Sequence, residues 1–116
     1  MDKPKIIHYL EAAPQYPFPG NTKVRMRVLI GEEDAPTYLM RIFEVDPGGV
    51  IPRHEHPWEH EIFILKGRLR VKIGDEEYEV SEGYAIYIPP NVPHEYINDS
   101  DDITIFICTI PKTKRQ

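Results

Sequence analysis

The chain has 116 residues, enough for one domain around a single modest core and too few for two. Its 19 acidic residues outweigh 14 basic ones, for a net charge of −5, and the only basic cluster is the terminal KTKRQ, read as a solvated end, so no nucleic-acid partner is expected. No apolar run approaches the roughly 20 residues that span a bilayer, the start MDKPKIIHYLEAAP lacks a basic-then-apolar signal pattern, and the lone Cys108 has no partner for a disulfide within the chain, so no membrane partner and a cytoplasmic location are expected.

In chain order, residues 1–20 read as an N-terminal arm and residues 21–116 as the body of the domain. The arm holds KIIHYL, an apolar, strand-like stretch with no sequence neighbour to pair with. It also holds PQYPFPG at 14–20, whose three prolines keep it out of a central strand. Strand signals then recur at 24–30, 37–45, 50–54, 60–65, 69–73, 77–80, 84–88, 94–97 and 103–110. Each is bounded by a turn signal such as Pro47-Gly48-Gly49, Gly67, Gly74-Asp75, Gly83 or Pro89-Pro90-Asn91. No stretch longer than about two turns carries apolar residues at helical spacing without a proline or β-branched interruption. Nine short strands at close intervals predict an all-β, single-domain sandwich or barrel.

Four of the five histidines fall in two clusters, His54, His56 and His60 in HEHPWEH and His94 in PNVPHEYIN. Residues two apart on a strand face the same way, so His54 and His56 present two imidazoles on one face, a ready chelate. The first cluster reads Gly48, five residues, His54, one, His56, three, His60, six, Gly67. The second reads Gly83, five residues, Pro89, one, Asn91, two, His94, three, Asn98. The fifth histidine, His8, belongs to neither string and is read as structural or exposed.

These paired strings resemble the two motifs of the cupin superfamily. The resemblance implies a jelly-roll barrel, also described as a double-stranded β-helix, holding one divalent metal ion between the ligands of the first motif and the histidine of the second. His54, His56, His60 and His94 are the ligands it implies. The chain departs from the pattern by carrying His60 where the first motif usually has a glutamate, six residues before Gly67. His60 and Glu61 compete for that slot. Counting back from Gly67 selects His60, and strand alternation sends Glu61 to the opposite face. A second departure is Asn91 in place of glycine, at a position expected to need positive φ, which asparagine tolerates better than other non-glycine residues. Without a metal, four imidazoles on one inner face would leave several unpaired nitrogens, each costing about 1–3 kcal/mol.

Four neutral ligands leave a divalent ion its full charge and, if six-coordinate, two open adjacent positions. The resemblance favours manganese and then iron, while imidazole also accepts zinc, nickel and copper. The missing glutamate makes the ion a stronger Lewis acid, harder to oxidise, and leaves no ligating carboxylate to serve as general base. Thr104, Phe106 and Cys108 share a strand face that the resemblance turns toward the metal cavity, with an ordinary core role as the equal alternative. Trp58 either walls the cavity mouth or packs on its loop. Arg41, in TYLMRIFEV, either anchors an acidic substrate or snorkels outward over the sheet, and the outward reading is preferred.

The function implied is a manganese- or iron-dependent oxidoreductase, dioxygenase-like or peroxide-using, that cleaves or oxygenates a small organic molecule. The alternative is a non-catalytic domain that binds or senses a small molecule through the same metal, since fold alone does not choose. The resemblance also points to a homodimer in which the arm adds to the partner subunit's sheet, with an arm folded on its own barrel as the alternative.

Overall fold

The computed structural model describes residues 3–112, so KTKRQ beyond Lys112 lies outside the described residues. It is a jelly roll of nine strands: β1 (Val24–Ile30), β2 (Tyr38–Val45), β3 (Val50–His54), β4 (His60–Lys66), β5 (Arg68–Ile73), β6 (Glu76–Ser81), β7 (Ala85–Ile88), β8 (His94–Ile97) and β9 (Thr104–Pro111). They form a five-stranded sheet in the order β1-β2-β9-β4-β7 and a four-stranded sheet in the order β3-β8-β5-β6. Every pairing is antiparallel. Each of the strands expected from alternation and turn residues is present, and no helix among the described residues is long and apolar enough to cross a membrane.

Alternation decides which side chains enter the barrel. Strand β4 reads buried, exposed, buried from His60 onward, so His60, Ile62 and Ile64 face inward and Glu61 and Phe63 face out. Strand β9 alternates over its whole length, sending Thr104, Phe106, Cys108 and Ile110 inward. These meet Phe43, Ile51, Leu69, Val71 and Tyr96 in one continuous core.

The arm lies against its own barrel in this chain. KIIHYL forms no strand; it ends in a 3-10 turn at Tyr9–Glu11, where the exposed His8 accepts from Leu10 N through Nδ1 and Glu11 Oε1 accepts from His8 N. This local capping box competes with extension and wins. Ala12 then packs with Leu29 and Ile42 on the outer face of the larger sheet, Arg27 Nη1 donates to Ala12 O at 2.7 Å, and Lys5 pairs with Asp34 at 2.7 Å. Gln15 and Met26 exchange two backbone hydrogen bonds of 2.8 Å, which covers part of the β1 edge.

One end of the barrel is closed by polar bonds. Asn98 is fully buried; its Nδ2 donates to Val45 O at 2.8 Å and Asp102 O at 2.9 Å, while Oδ1 accepts from Ser100 N and Ser100 Oγ. Its backbone exchanges hydrogen bonds with the Gly48-Gly49 turn, and Thr104 Oγ1 donates to Arg68 O at 2.6 Å. Between β4 and β5, Gly67 has φ +87°, and a Cβ there would lie 2.5 Å from Ile103 O. Only glycine fits that position.

Candidate metal centre

The histidines gather at the opposite, open end. His54 closes β3, His60 and His94 open β4 and β8, and the β3–β4 loop carries His56. Ladder register brings two of them together directly, because His54 is the cross-strand partner of His94. Asn91 has φ +64° and its N–H donates to His56 O, so the turn before His94 is tied to the loop of the first motif.

His54, His56 and His94 each offer a ring nitrogen within 4.8 Å of the others. The ring centroids of His54 and His94 are 4.3 Å apart, and those of His54 and His56 4.8 Å. His60 stands beside this trio, its ring 5.1 Å from His56 and 5.0 Å from His94. Trp58 stacks flat on His56, with centroids 4.6 Å apart and planes 4° from parallel, so it backs the imidazole. Glu61, on the outward face, is exposed.

Backbone carbonyls orient two of the rings. His94 Nδ1 lies 2.9 Å from Val92 O and His54 Nδ1 lies 2.6 Å from Pro52 O. A carbonyl only accepts, so Nδ1 carries the proton and Nε2 presents its lone pair. The Nε2 atoms of His60 and His94 are buried with no hydrogen-bond partner. Burial pushes the His60 pKa down to about 3, helped by His94, Arg41, His56 and His54, and burial also lowers that of His94. Three ring nitrogens within 4.8 Å of one another, with the partnerless Nε2 of His60 beside them, fit a divalent metal ion.

Beside them opens a cavity of about 230 Å³, lined by His54, His56 and His60 together with Pro17, Phe18, Met26, Arg41, Phe43, Ile51, Tyr96, Phe106 and Cys108. Thr104 shares the face of Phe106 and Cys108 but belongs to the closed end. Arg41 points inward, against the outward reading preferred from sequence. It sits opposite Cys108 in the β2–β9 ladder, and its Nη2 donates to Cys108 Sγ at 3.1 Å. His60 Nδ1 is 3.3 Å from the same sulfur. Burial raises the pKa of the Cys108 thiol and holds that of Tyr96 well above the ordinary phenol value.

Phe18, Met26, Ile51 and Tyr96 were not identified from sequence as cavity residues. Tyr96 follows His94 by two residues on β8, so its parity with a candidate ligand was an available signal. Phe18 had none, because the proline-rich segment has no periodicity.

The cupin domain family profile matches residues 41–110. The polyketide cyclase RemF of Streptomyces resistomycificus superposes with a TM-score of 0.89 at 30% identity, covering 98% of this chain and 83% of that one. A predicted oxalate decarboxylase of Thermotoga maritima superposes with a TM-score of 0.81 at 20% identity over 94% of this chain and 100% of that one, a likeness of fold alone. In sequence, the mannose-1-phosphate guanylyltransferase RfbM of Salmonella typhimurium is 40% identical over 68 residues, which are 57% of this chain and 14% of that protein. The chain thus spans a small part of that relative's length.

Proposed function

The chain belongs to the cupin domain family, and from that premise we propose that it is a metal-dependent enzyme converting a small enolisable carbonyl compound inside the barrel, by carbon–carbon bond formation without net oxidation. His54, His56, His60 and His94 are the ligands proposed for one divalent ion. The observation that carries the reading is the buried, partnerless Nε2 of His60 and of His94 beside an apolar cavity. Bound there, the ion supplies a Lewis acid for a carbonyl oxygen.

The chain's own residues do the rest. Val92 O and Pro52 O hold the tautomers of His94 and His54, and Trp58 holds the plane of His56. Phe43 and Phe106, stacked with centroids 5.2 Å apart, give the cavity a flat apolar wall that excludes water and orders a planar substrate. Tyr96 lines the same cavity and keeps its phenolic proton.

Likeness to a polyketide cyclase over nearly the whole chain supports non-oxidative chemistry. So do the sulfur atoms of Met26 and Cys108 in the cavity wall, which an oxidising centre would attack. A second reading is the manganese- or iron-dependent oxidoreductase using dioxygen or a peroxide; it is favoured by the all-imidazole donor set, which accepts both metals. A homodimer is proposed as well, supported by exposed Phe63, Leu65 and Tyr87 on the outer face of the larger sheet.

The test is metal analysis of protein purified without chelators, then product analysis with β-diketone and poly-β-ketone substrates under argon and under air with an oxygen electrode. One metal per chain is expected, with turnover under argon and none in His94→Ala. Turnover that requires oxygen selects the oxidoreductase. Metal and saturable ligand binding with no product under either gas selects the binding or sensing protein.

A further inference from the structure

Three arginines lie on the first two strands, and two of them are matched by carboxylates. Arg25 pairs with Asp46 at 2.8 Å and with Glu44 at 3.2 Å, and Arg27 pairs with Glu44 at 3.1 Å, all on the outer face. Arg41 is different. It stands on the inner face, and among the described residues it makes no ion pair; its Nε is buried without a partner. Its remaining donors reach only sulfur, Nη2 to Cys108 Sγ at 3.1 Å and Nη1 to Met26 Sδ at 3.7 Å. The guanidinium carbon lies 5.2 Å from the Phe43 ring centroid.

Sulfur is a weak acceptor, and a half-buried guanidinium whose Nε is out of reach of water and whose other partners are sulfur and an aromatic face is far from satisfied. No aspartate or glutamate lines the cavity. An imidazole carries no negative charge, so nothing in the lining offsets the Arg41 charge, and a divalent ion would add to it. A protein of net charge −5 has therefore made one cavity positive.

We propose that this cavity receives an organic oxyanion, a carboxylate or a delocalised enolate or phenolate on a planar apolar body, and that Arg41 determines this specificity by pairing with the charged oxygens. The inference rests on the proposed substrate cavity and narrows the substrate class for it. The guanidinium fork matches two oxygens of one such group, and the Phe43–Phe106 stack accommodates the flat body beside it. Arg41 is thus a binding residue that the ligand completes.

The probes are 2-naphthoate and its neutral methyl ester, titrated calorimetrically into the full-length chain in metal-loaded form and in metal-free form with verified removal. Saturable binding of 2-naphthoate to both forms is expected. In the metal-free form Arg41→Met should weaken it by about tenfold or more, with Arg41→Lys losing less. Methyl 2-naphthoate should bind wild type and Arg41→Met alike, which also shows that the variant cavity is folded; Arg41→Gln serves as a second neutral replacement. The ligand-free Arg41→Met protein should melt no lower than wild type, because a half-buried guanidinium with no ion pair has been exchanged for a side chain of similar length. No 2-naphthoate binding to wild type, equal preference for acid and ester, or a smaller loss in both neutral variants overturns the proposal. Because this is read without metal and without turnover, Arg41-dependent binding survives a failure of the enzymatic reading. Turnover with no Arg41 dependence removes the anion inference alone.

Discussion

Inside the barrel, its two ends treat buried polar side chains in opposite ways. At the end built from Asn98, Thr104 and the Gly48-Gly49 turn, the Asn98 and Thr104 side chains are hydrogen-bonded within 3.0 Å. At the histidine end, the Nε2 atoms of His60 and His94 and the Nε of Arg41 are buried with no bond at all. The same strands run through both ends, so fold class alone does not account for the difference. One end is finished by the chain itself and holds the sheets together, whereas the other is finished by something that the chain must bind. Stability and function are separated along the strands by little more than the distance from Thr104 to Cys108.

The largest effect that would break this division lies at the closed end. Gly67→Ala forces a side chain into positive φ and against Ile103 O, and Asn98→Ala takes the Nδ2 donor from Val45 O and from Asp102 O, which keeps only Ser100 Oγ, and the acceptor from Ser100. Each should destabilise by roughly 2–4 kcal/mol in urea unfolding. Retained stability in both would mean that the closed end is not what secures the fold.

A smaller effect belongs to the open end. His60 has its folded pKa near 3 against an ordinary 6.5, so in that window the unfolded chain binds a proton that the folded one does not. Stability is therefore fully present above about pH 6.5 and falls as the solution is acidified. Metal-free protein should lose roughly 2 kcal/mol by pH 5 from His60, and His94 adds to the loss in the same direction. Metal should raise the melting temperature at neutral pH, since it binds only the native arrangement. A metal-free melting temperature that is flat from about pH 7.5 to pH 5 would contradict the assignment of unsatisfied burial to this end.

The smallest effect concerns the arm, which touches neither set of bonds. Deleting residues 1–13 should cost roughly 1 kcal/mol in urea unfolding by uncovering the buried Leu29 and Ile42, and should leave the self-association measured by light scattering to the Phe63, Leu65 and Tyr87 face. A monomer for the intact chain at micromolar concentration would remove the dimer.

Much of this was legible in sequence because it is local. Period-2 alternation and turn residues located all nine strands, and motif spacing singled out the histidines that the structure gathers at one end. The positive φ of Asn91 was readable from residue chemistry. Arg41 was not, for a definite reason. Strand β2 is apolar on both faces, with Leu39, Phe43 and Val45 on one and Met40 and Ile42 on the other, and each face carries a single charge, Arg41 or Glu44. The outer face is apolar because the arm covers part of that sheet, a contact between segments far apart in sequence. Alternation reveals which residues share a side and leaves open which side is the interior. The cavity contribution of Phe18 was hidden likewise, since nothing periodic marks it.

That segment, PQYPFPG, has a consequence for how molecules are held. Phe18 and Pro17 line the cavity, and Gln15 is bonded to Met26, another lining residue. Pro14, Pro17 and Pro19 each have a ring-locked φ, so the stretch has few shapes to give up when Phe18 packs against the core. That part of the cavity wall is stiff before anything arrives. A wall of this kind selects by shape, and little binding energy is diverted to ordering it around a guest.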